Sequence, residues 1–382
     1  MLARSGAGAR DSSMRTVMHL IDTGGPGGAE TVFAQLADRM RAARATRTVA
    51  VIPREDWLSG QLRTLQIEPV ILAARGSLNV GYLWSLIRTA RSNRVELIHT
   101  HLLGSAIYGA LVGLLTRTAV IAVLHGPTDL RQLGKLAGLK RWLLTHACSA
   151  VVAVSSSTRD ALLAFGLRPE TITLIQNGVD TESYSPGRAD ELRTELGLLP
   201  DEILIGAVGN IRTPKAYDVL LKAAALVLER APHCRFAIIG QGDESALKPL
   251  RQLAATLGIE TRCHFLGFRK STPNLYRSLD VFVSSSRSEG LSLAFLEALA
   301  TGLPVVATRS GGPQEVIEPD VAGVLVPIED PAALAEGLLR VVGDRELRAR
   351  LGAAARQRVF EAFSLEAVLR QYARLYDKLL AP

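Results

Sequence analysis

From residue 15 onward, short runs of β-branched and aliphatic residues alternate with stretches whose apolar side chains recur every three or four positions. In the first half the runs are RTVMHLI (15–21), TRTVAVI (46–52), EPVIL (68–72), VELIHT (95–100), AVIAVLH (119–125), AVVAVS (150–155) and TITLI (171–175). A second series follows: ILIGAVG (203–209), RFAIIG (235–240), CHFLGF (263–268), VFVSSS (281–286), LPVVAT (303–308) and GVLVP (323–327). Near-continuous apolar runs of this length are strands covered on both faces, and the helix-length segments between them predict right-handed βαβ crossovers and parallel sheets. The fold class is α/β, with two doubly wound, Rossmann-like domains.

The pattern also divides the chain. Residues 1–13, MLARSGAGARDSS, are small, basic and polar without an apolar stretch, which predicts a loose tail rather than a signal peptide. A first domain is expected over 14–178 and a second over 201–363. The linker is placed at 179–200, inside the Gly-, Pro- and charge-rich NGVDTESYSPGRADELRTELGLLPDE (177–202). Two such domains face each other across a cleft at the carboxyl ends of their strands, where open α/β sheets bind ligands. Residues 364–382 hold a last helix, SLEAVLRQYARLYDKLL, with Ser364 as its N-cap. The most membrane-like run, residues 102–124, is divided by Arg117 between two threonines into a helix-length piece and a short strand.

Composition narrows the function. A chain of 382 residues with 48% hydrophobic and 5% aromatic content has the material for two buried cores. Cys148, Cys234 and Cys263 show neither disulfide-framework nor zinc-ligand spacing, which fits a reducing cytoplasm. Of the Lys and Arg residues, 20 stand against 12 Asp and Glu in residues 1–180, and 24 against 25 in the remainder, so the net charge of +7 belongs to the first half. Such an excess suits an anionic membrane surface or a phosphorylated substrate, and an Arg-rich solvent face accounts for it equally well. No basic run with interleaved aromatics and no zinc-finger spacing is present, which argues against nucleic acid as a partner.

Three stretches carry candidate chemistry. DTGGPGGAE (22–30) lies between a strand and a helix, where backbone N–H groups and a positive dipole end make a cradle for phosphate; a tight turn without a ligand would use the same glycines. Glu30 stands where the third glycine of a dinucleotide fingerprint belongs, which disfavours such a cofactor. Arg212 and Lys215 in GNIRTPK follow a strand, and two cations there suit a diphosphate, or are a solvated pair. SEGLSLAFLEALATG (288–302) carries Glu289 in a turn and Glu297 inside a helix that ends at Gly302, with Pro304 beyond. An isolated pair of this kind reads as one solvated turn residue and one buried partner for an arginine.

The ordered set of motifs changes that reading. TGGPGGAETVFAQLA, LIHTHLLGSAIYGAL, LHG, IQNGVDTESYSP, GNIRTPK, IIGQGDE, FLGF, LYRSLDVFVSSSRSEGLSLAFLEALATGLPVVATRSGGPQEVI and AGVLVP resemble, in order, the retaining nucleotide-sugar glycosyltransferases of family 4, also called group 1. The resemblance covers nearly all of the chain after residue 14. It implies a GT-B fold whose second domain holds the donor and whose last helix returns to the first. Glu297 is similar to the glutamate that binds the ribose hydroxyls, and Glu289 to the one facing the transferred sugar. Arg212 and Lys215 match the cations on the diphosphate, joined by N–H groups around Gly290, Leu291 and Ser292. Phe268 falls where the backbone meets the base. Gly27 and Gly28 resemble the first-domain loop that approaches the diphosphate, and His125 the histidine near the sugar.

Two departures stand out. Many members read G-R-L-x-x-x-K-G at the diphosphate loop; here Asn210 takes the arginine position, arginine moves to Arg212 and Ala216 replaces the last glycine, while Lys215 keeps its register. His99 and His101 share a strand, and only one of them is expected to face the cleft; His19, His146, His233 and His264 are expected to be structural.

What the resemblance implies is transfer of a sugar from a UDP or GDP donor, without a metal or other cofactor, to a glycan or lipid-linked acceptor, as in bacterial polysaccharide or glycolipid synthesis. D-x-D, the motif of metal-dependent transferases of another fold, does not occur in the chain. Residues 131–146 set Arg131, Lys135, Lys140 and Arg141 against leucines and Trp142 at roughly helical spacing, a pattern for an anionic membrane face or for a core helix with a basic outer side. Two other readings stay open: a nucleotide-sugar epimerase or hydrolase that needs no acceptor, and a silent partner subunit that binds the donor without turnover.

Overall fold

A computed structural model describes residues 14–44, 46–73, 79–126, 130, 136–270 and 273–381. The 1–13 tail, Arg131 and Lys135 lie outside these residues. Every one of the runs read as strands forms one: β1 (Thr16–Ile21), β2 (Arg47–Ile52), β3 (Val70–Ile71), β4 (Leu97–His101), β5 (Ala119–Leu124), β6 (Ala150–Ala153), β7 (Ile172–Leu174), β8 (Ile203–Val208), β9 (Cys234–Ile239), β10 (Cys263–Gly267), β11 (Val281–Ser284), β12 (Val305–Thr308) and β13 (Val324–Val326).

They make two all-parallel sheets, ordered β3-β2-β1-β4-β5-β6-β7 and β10-β9-β8-β11-β12-β13. In each sheet the order reverses beside the first strand of the unit, between β1 and β4 and between β8 and β11, and such a switch point opens a crevice at the carboxyl edge. Helices cover both faces, so β1, β4 and β5 are buried almost along their whole length. This is the GT-B arrangement.

The apolar run 102–124 resolves into the helix Leu103–Thr116 and β5, separated by Arg117 in the left-handed region at φ 57°. Gly109 and Gly113 let that helix lie against the sheet, since a Cβ at either would come within 2.4 Å of Thr100 or 2.3 Å of Val120. Among the described residues no helix is long and apolar enough to cross a membrane.

The final helix, Leu365–Leu380, starts as expected with the Ser364 hydroxyl accepting from the Ala367 N–H. Its Val368, Tyr372 and Tyr376 pack with Val17, Leu36 and Met40 of the first domain, returning the chain across the junction. At the crossing, Val179 N–H donates to Phe363 and Leu365 N–H to Val179.

Candidate functional site

Between the carboxyl edges of the two sheets lies a cleft of about 610 Å³. It is lined by all the residues that the family motifs place at the donor: Gly27, Gly28 and His125 from the first domain, and Arg212, Lys215, Phe268, Glu289, Gly290, Leu291, Ser292 and Glu297 from the second.

Lys215 closes the loop after β8. Ala216 follows at φ 51° and starts the helix Tyr217–Arg230, so alanine keeps the left-handed turn that glycine adopts without strain. The Lys215 carbonyl accepts from Ser285, and its ammonium donates to the Glu289 carboxylate, which also accepts from Ser286 at 3.1 Å. The loop is braced from β11's side by Arg287, whose backbone N–H donates to Pro214 and whose guanidinium reaches the Thr213 carbonyl and, in a fork, Asp218 at 2.7 and 3.0 Å. Those guanidinium hydrogen bonds hold the Asp218 carboxyl below its usual range. Arg212 is exposed at the rim.

Glu289 is fixed by its backbone as well, its N–H donating to Ser310 and its carbonyl accepting from Gly312. Here glycine is required: a Cβ on Gly312 would stand 1.8 Å from the Gly290 carbonyl, and one on Gly290 would stand 2.5 Å from the His125 carbonyl across the domain junction. The chain then enters the helix Leu293–Ala300, whose open N-terminal end faces the cleft and favours an anion. One turn in, Glu297 is buried at 6% exposure and accepts from the Tyr276 hydroxyl at 2.5 Å. From the first domain, Asn177 donates to the Leu291 carbonyl at 2.6 Å. Asn210, which stands at the family's arginine position, donates to the Pro26 carbonyl at 2.9 Å and so bridges the cleft instead of offering charge to it.

The histidines depart from expectation. Residues two apart on a strand share a face, so His99 and His101 point the same way and stack at 4.9 Å; both are fully buried, and neither lines the cleft. His101 Nδ1 instead meets His125 Nε2 at 3.1 Å, and His99 Nδ1 meets the Tyr376 hydroxyl at 2.6 Å. Burial lowers His125 to about 4 and keeps it neutral. One nitrogen from each of His19, His99 and His101 lies within 4.8 Å of the others. The His99 and His101 rings are inclined by only 14°, however, and nearly parallel planes cannot both contain one metal ion.

Asn177, Tyr276, Arg287 and Glu315 were not singled out from the sequence, although all four fall inside motifs that were. Glu315 accepts from the Ser156 N–H at 2.6 Å, from the Ser156 hydroxyl at 3.2 Å and from the Gln176 amide at 2.6 Å, tying the second domain to the first. Only the folded chain brings those partners together.

Two family models match the chain. Residues 26–183 match the model of "Glycosyltransferase Family 4" and residues 188–358 that of "Glycosyl transferases group 1". The chain is 30% identical over 305 residues to the D-inositol 3-phosphate glycosyltransferase of Corynebacterium glutamicum, covering 75% of this chain and 73% of that one. It is 28% identical over 304 residues to the N-acetyl-alpha-D-glucosaminyl L-malate synthase of Bacillus anthracis, covering 77% and 78%. It spans about half of another relative, the D-inositol 3-phosphate glycosyltransferase of Saccharomonospora viridis, at 34% identity and 52% of that length. In fold it is similar to Anabaena HepE crystallised with UDP-glucose, with a TM-score of 0.85, 24% identity, and coverage of 95% of this chain and 99% of that one.

Proposed function

We propose, from the premise that this chain belongs to the family 4 (group 1) glycosyltransferases, that it moves a sugar from a UDP- or GDP-sugar to an acceptor hydroxyl with retention at the anomeric carbon. The observation that carries the reading is the Lys215–Glu289 pair, set beside the open end of the helix Leu293–Ala300 in one cleft. The donor's bond between anomeric carbon and phosphate oxygen lengthens, leaving cationic character on the ring and negative charge on the nucleotide phosphate. Lys215, Arg212 and the N–H groups near Leu291 and Ser292 receive that charge. Losing one such donor typically costs about 2.7–4 kcal/mol of transition-state stabilisation. The acceptor oxygen bonds to the same face of the carbon and passes its proton to the departing phosphate. Glu289 orients the ring and supports its charge, and Glu297 takes the ribose hydroxyls with its two acceptor oxygens. This scheme assigns no step to a metal.

For the acceptor, a glycan or lipid-linked hydroxyl is supported by the outer face of the helix Ala137–His146, where Leu139 and Trp142 are half exposed beside Lys140 and Arg141. Co-flotation with anionic liposomes tests that face; no binding at low salt removes the membrane from the reading. A second reading, a small anionic acceptor in solution, is favoured by the names of two relatives, which act on inositol phosphate and L-malate. Transfer to either compound distinguishes the two.

Thermal unfolding with UDP, GDP and ADP in turn, in the presence of a chelator, tests the donor. Saturation at 100 times Kd adds about 2.7 kcal/mol to the folded state. A shift with one nucleotide fixes the donor class and supports binding without a metal. No shift with any of them counts against donor binding and so against transferase and silent binder alike; a shift without product under any acceptor moves the weight to the silent partner, and product formed from donor alone moves it to the hydrolase or epimerase.

A further inference from the structure

Beneath the cleft runs a column of four imidazoles that the transfer scheme leaves unused. His19 on β1 lies 5.1 Å from His99 on β4, His99 lies 4.9 Å from His101, and His101 lies 5.3 Å from His125, centroid to centroid. Successive planes differ by 30°, 14° and 26°. The lower part abuts the final helix, with the Tyr372 ring 5.3 Å from His99 and the Tyr376 hydroxyl on its Nδ1. The upper end, His125, lines the cleft.

The hydrogen-bonding pattern fixes where the protons sit. Among the described residues, His99 Nε2 and His101 Nε2 are buried without a partner, while Nδ1 of each ring has one. A buried N–H with no acceptor costs about 1–3 kcal/mol, whereas an orphaned acceptor is the better tolerated of the two. Each ring therefore keeps its hydrogen on Nδ1, so that His99 donates to the Tyr376 oxygen and His101 donates to His125 Nε2. His125 Nε2 is then an acceptor, which leaves that ring's single hydrogen on Nδ1.

We infer that His101 is a positioning residue, which fixes the tautomer and ring plane of His125 through its Nδ1–H. This rests on the proposed transfer reaction and on the place near the sugar that the family resemblance implies for His125. Burial also keeps His19, His99 and His101 neutral, so the column acts as a set of stacked dipoles and not as a charge relay. Without His101, the His125 ring would be able to turn over and to carry its hydrogen on either nitrogen.

Two variants separate positioning from packing. His101→Phe keeps a stacked ring but no donor; His101→Asn places an amide N–H near the position of Nδ1. The expected result is a kcat at least about tenfold lower in H101F, with donor KM and UDP affinity changed little, and recovery of most of that rate in H101N. In the unaltered chain, two-bond 1H–15N spectra of 15N-histidine-labelled protein should show His125 protonated on Nδ1, with the other tautomer populated in H101F. Protonation of His125 on Nε2 in the unaltered chain overturns the assignment, as does an equal loss of rate in both variants. The spectra need no turnover, so a chain that shows the expected tautomers yet transfers no sugar would refute the proposed reaction and leave the positioning intact.

Discussion

The Lys215 ammonium rests directly on the Glu289 carboxylate, although the two residues come from opposite sides of the switch point and are 74 positions apart. Both side chains are mostly shielded, at 22% and 17% exposure. The pair predicts opposite effects of its two halves on nucleotide binding. Lys215→Ala leaves Glu289 facing the diphosphate without its counter-charge, so UDP affinity and kcat/KM should both fall, the latter by about 10²–10³. Glu289→Gln releases Lys215 toward the phosphates, so UDP should bind as tightly or more tightly while kcat falls. Calorimetric titration with steady-state kinetics reads both. A full transfer rate in E289Q would withdraw the role given to Glu289.

Tyr276 and Glu297 make a second, deeper test. A hydrogen bond to a charged group is worth about 1.5–3 kcal/mol, and this one holds the carboxylate against the helix Leu293–Ala300 in the place from which it would meet the ribose. Tyr276→Phe should weaken UDP binding about tenfold with kcat nearly unchanged, since the ribose contact is the same in ground and transition states. A matching loss in kcat would mean that Glu297 acts on the reacting sugar instead.

Buried histidines set the acid limb of stability. His19 is lowered to about 3 and His125 to about 4 from an ordinary 6.5, with His99 and His101 lowered in the same direction, in each case chiefly by burial. Below pH 6.5 the unfolded chain binds protons at these sites that the folded chain refuses. Stability is therefore full above about pH 6.5 and falls as the pH drops toward 4, by up to about 1.4 kcal/mol per pH unit for each histidine. Urea unfolding at pH 7.5, 6.0 and 5.0 should show the decline, and His19→Leu should flatten it by one proton's worth. Equal stability at pH 7.5 and 5.0 would refute the neutral assignment.

The strands were legible because a parallel strand buried on both faces leaves a run such as AVIAVL with few alternative structures, and all of β1 to β13 could be placed. The cleft residues were legible through motifs whose spacing the turn after each strand enforces. His99 and His101 were misjudged, because a period of two places both on one face and only the sheet's neighbours decide what that face meets. Asn177, Arg287 and Glu315 were missed because their partners lie 114, 69 and 159 residues away, and nothing local in the sequence marks a side chain for a contact that distant.

Glu315 gives the last prediction. Its carboxylate accepts from Ser156 and Ser157 N–H groups at the start of the first-domain helix Ser156–Ala164, where the helix dipole adds to the attraction. Three residues earlier, Gly312 donates to the Glu289 carbonyl. The same short segment thus fastens one domain to the other and holds the backbone of Glu289. Glu315→Gln keeps the shape, but it removes the charge that the helix end favours and puts an N–H where Gln176 now donates, so that the Gln176 amide has to turn over to accept. Stability at pH 7.5 should fall by about 1–3 kcal/mol. Small-angle scattering should show a larger radius of gyration, and kcat should drop several-fold while UDP affinity falls less. If stability and radius stayed unchanged, the contact would be no more than a surface cap, and the junction would have to be held by Asn177, Asn210 and the returning final helix.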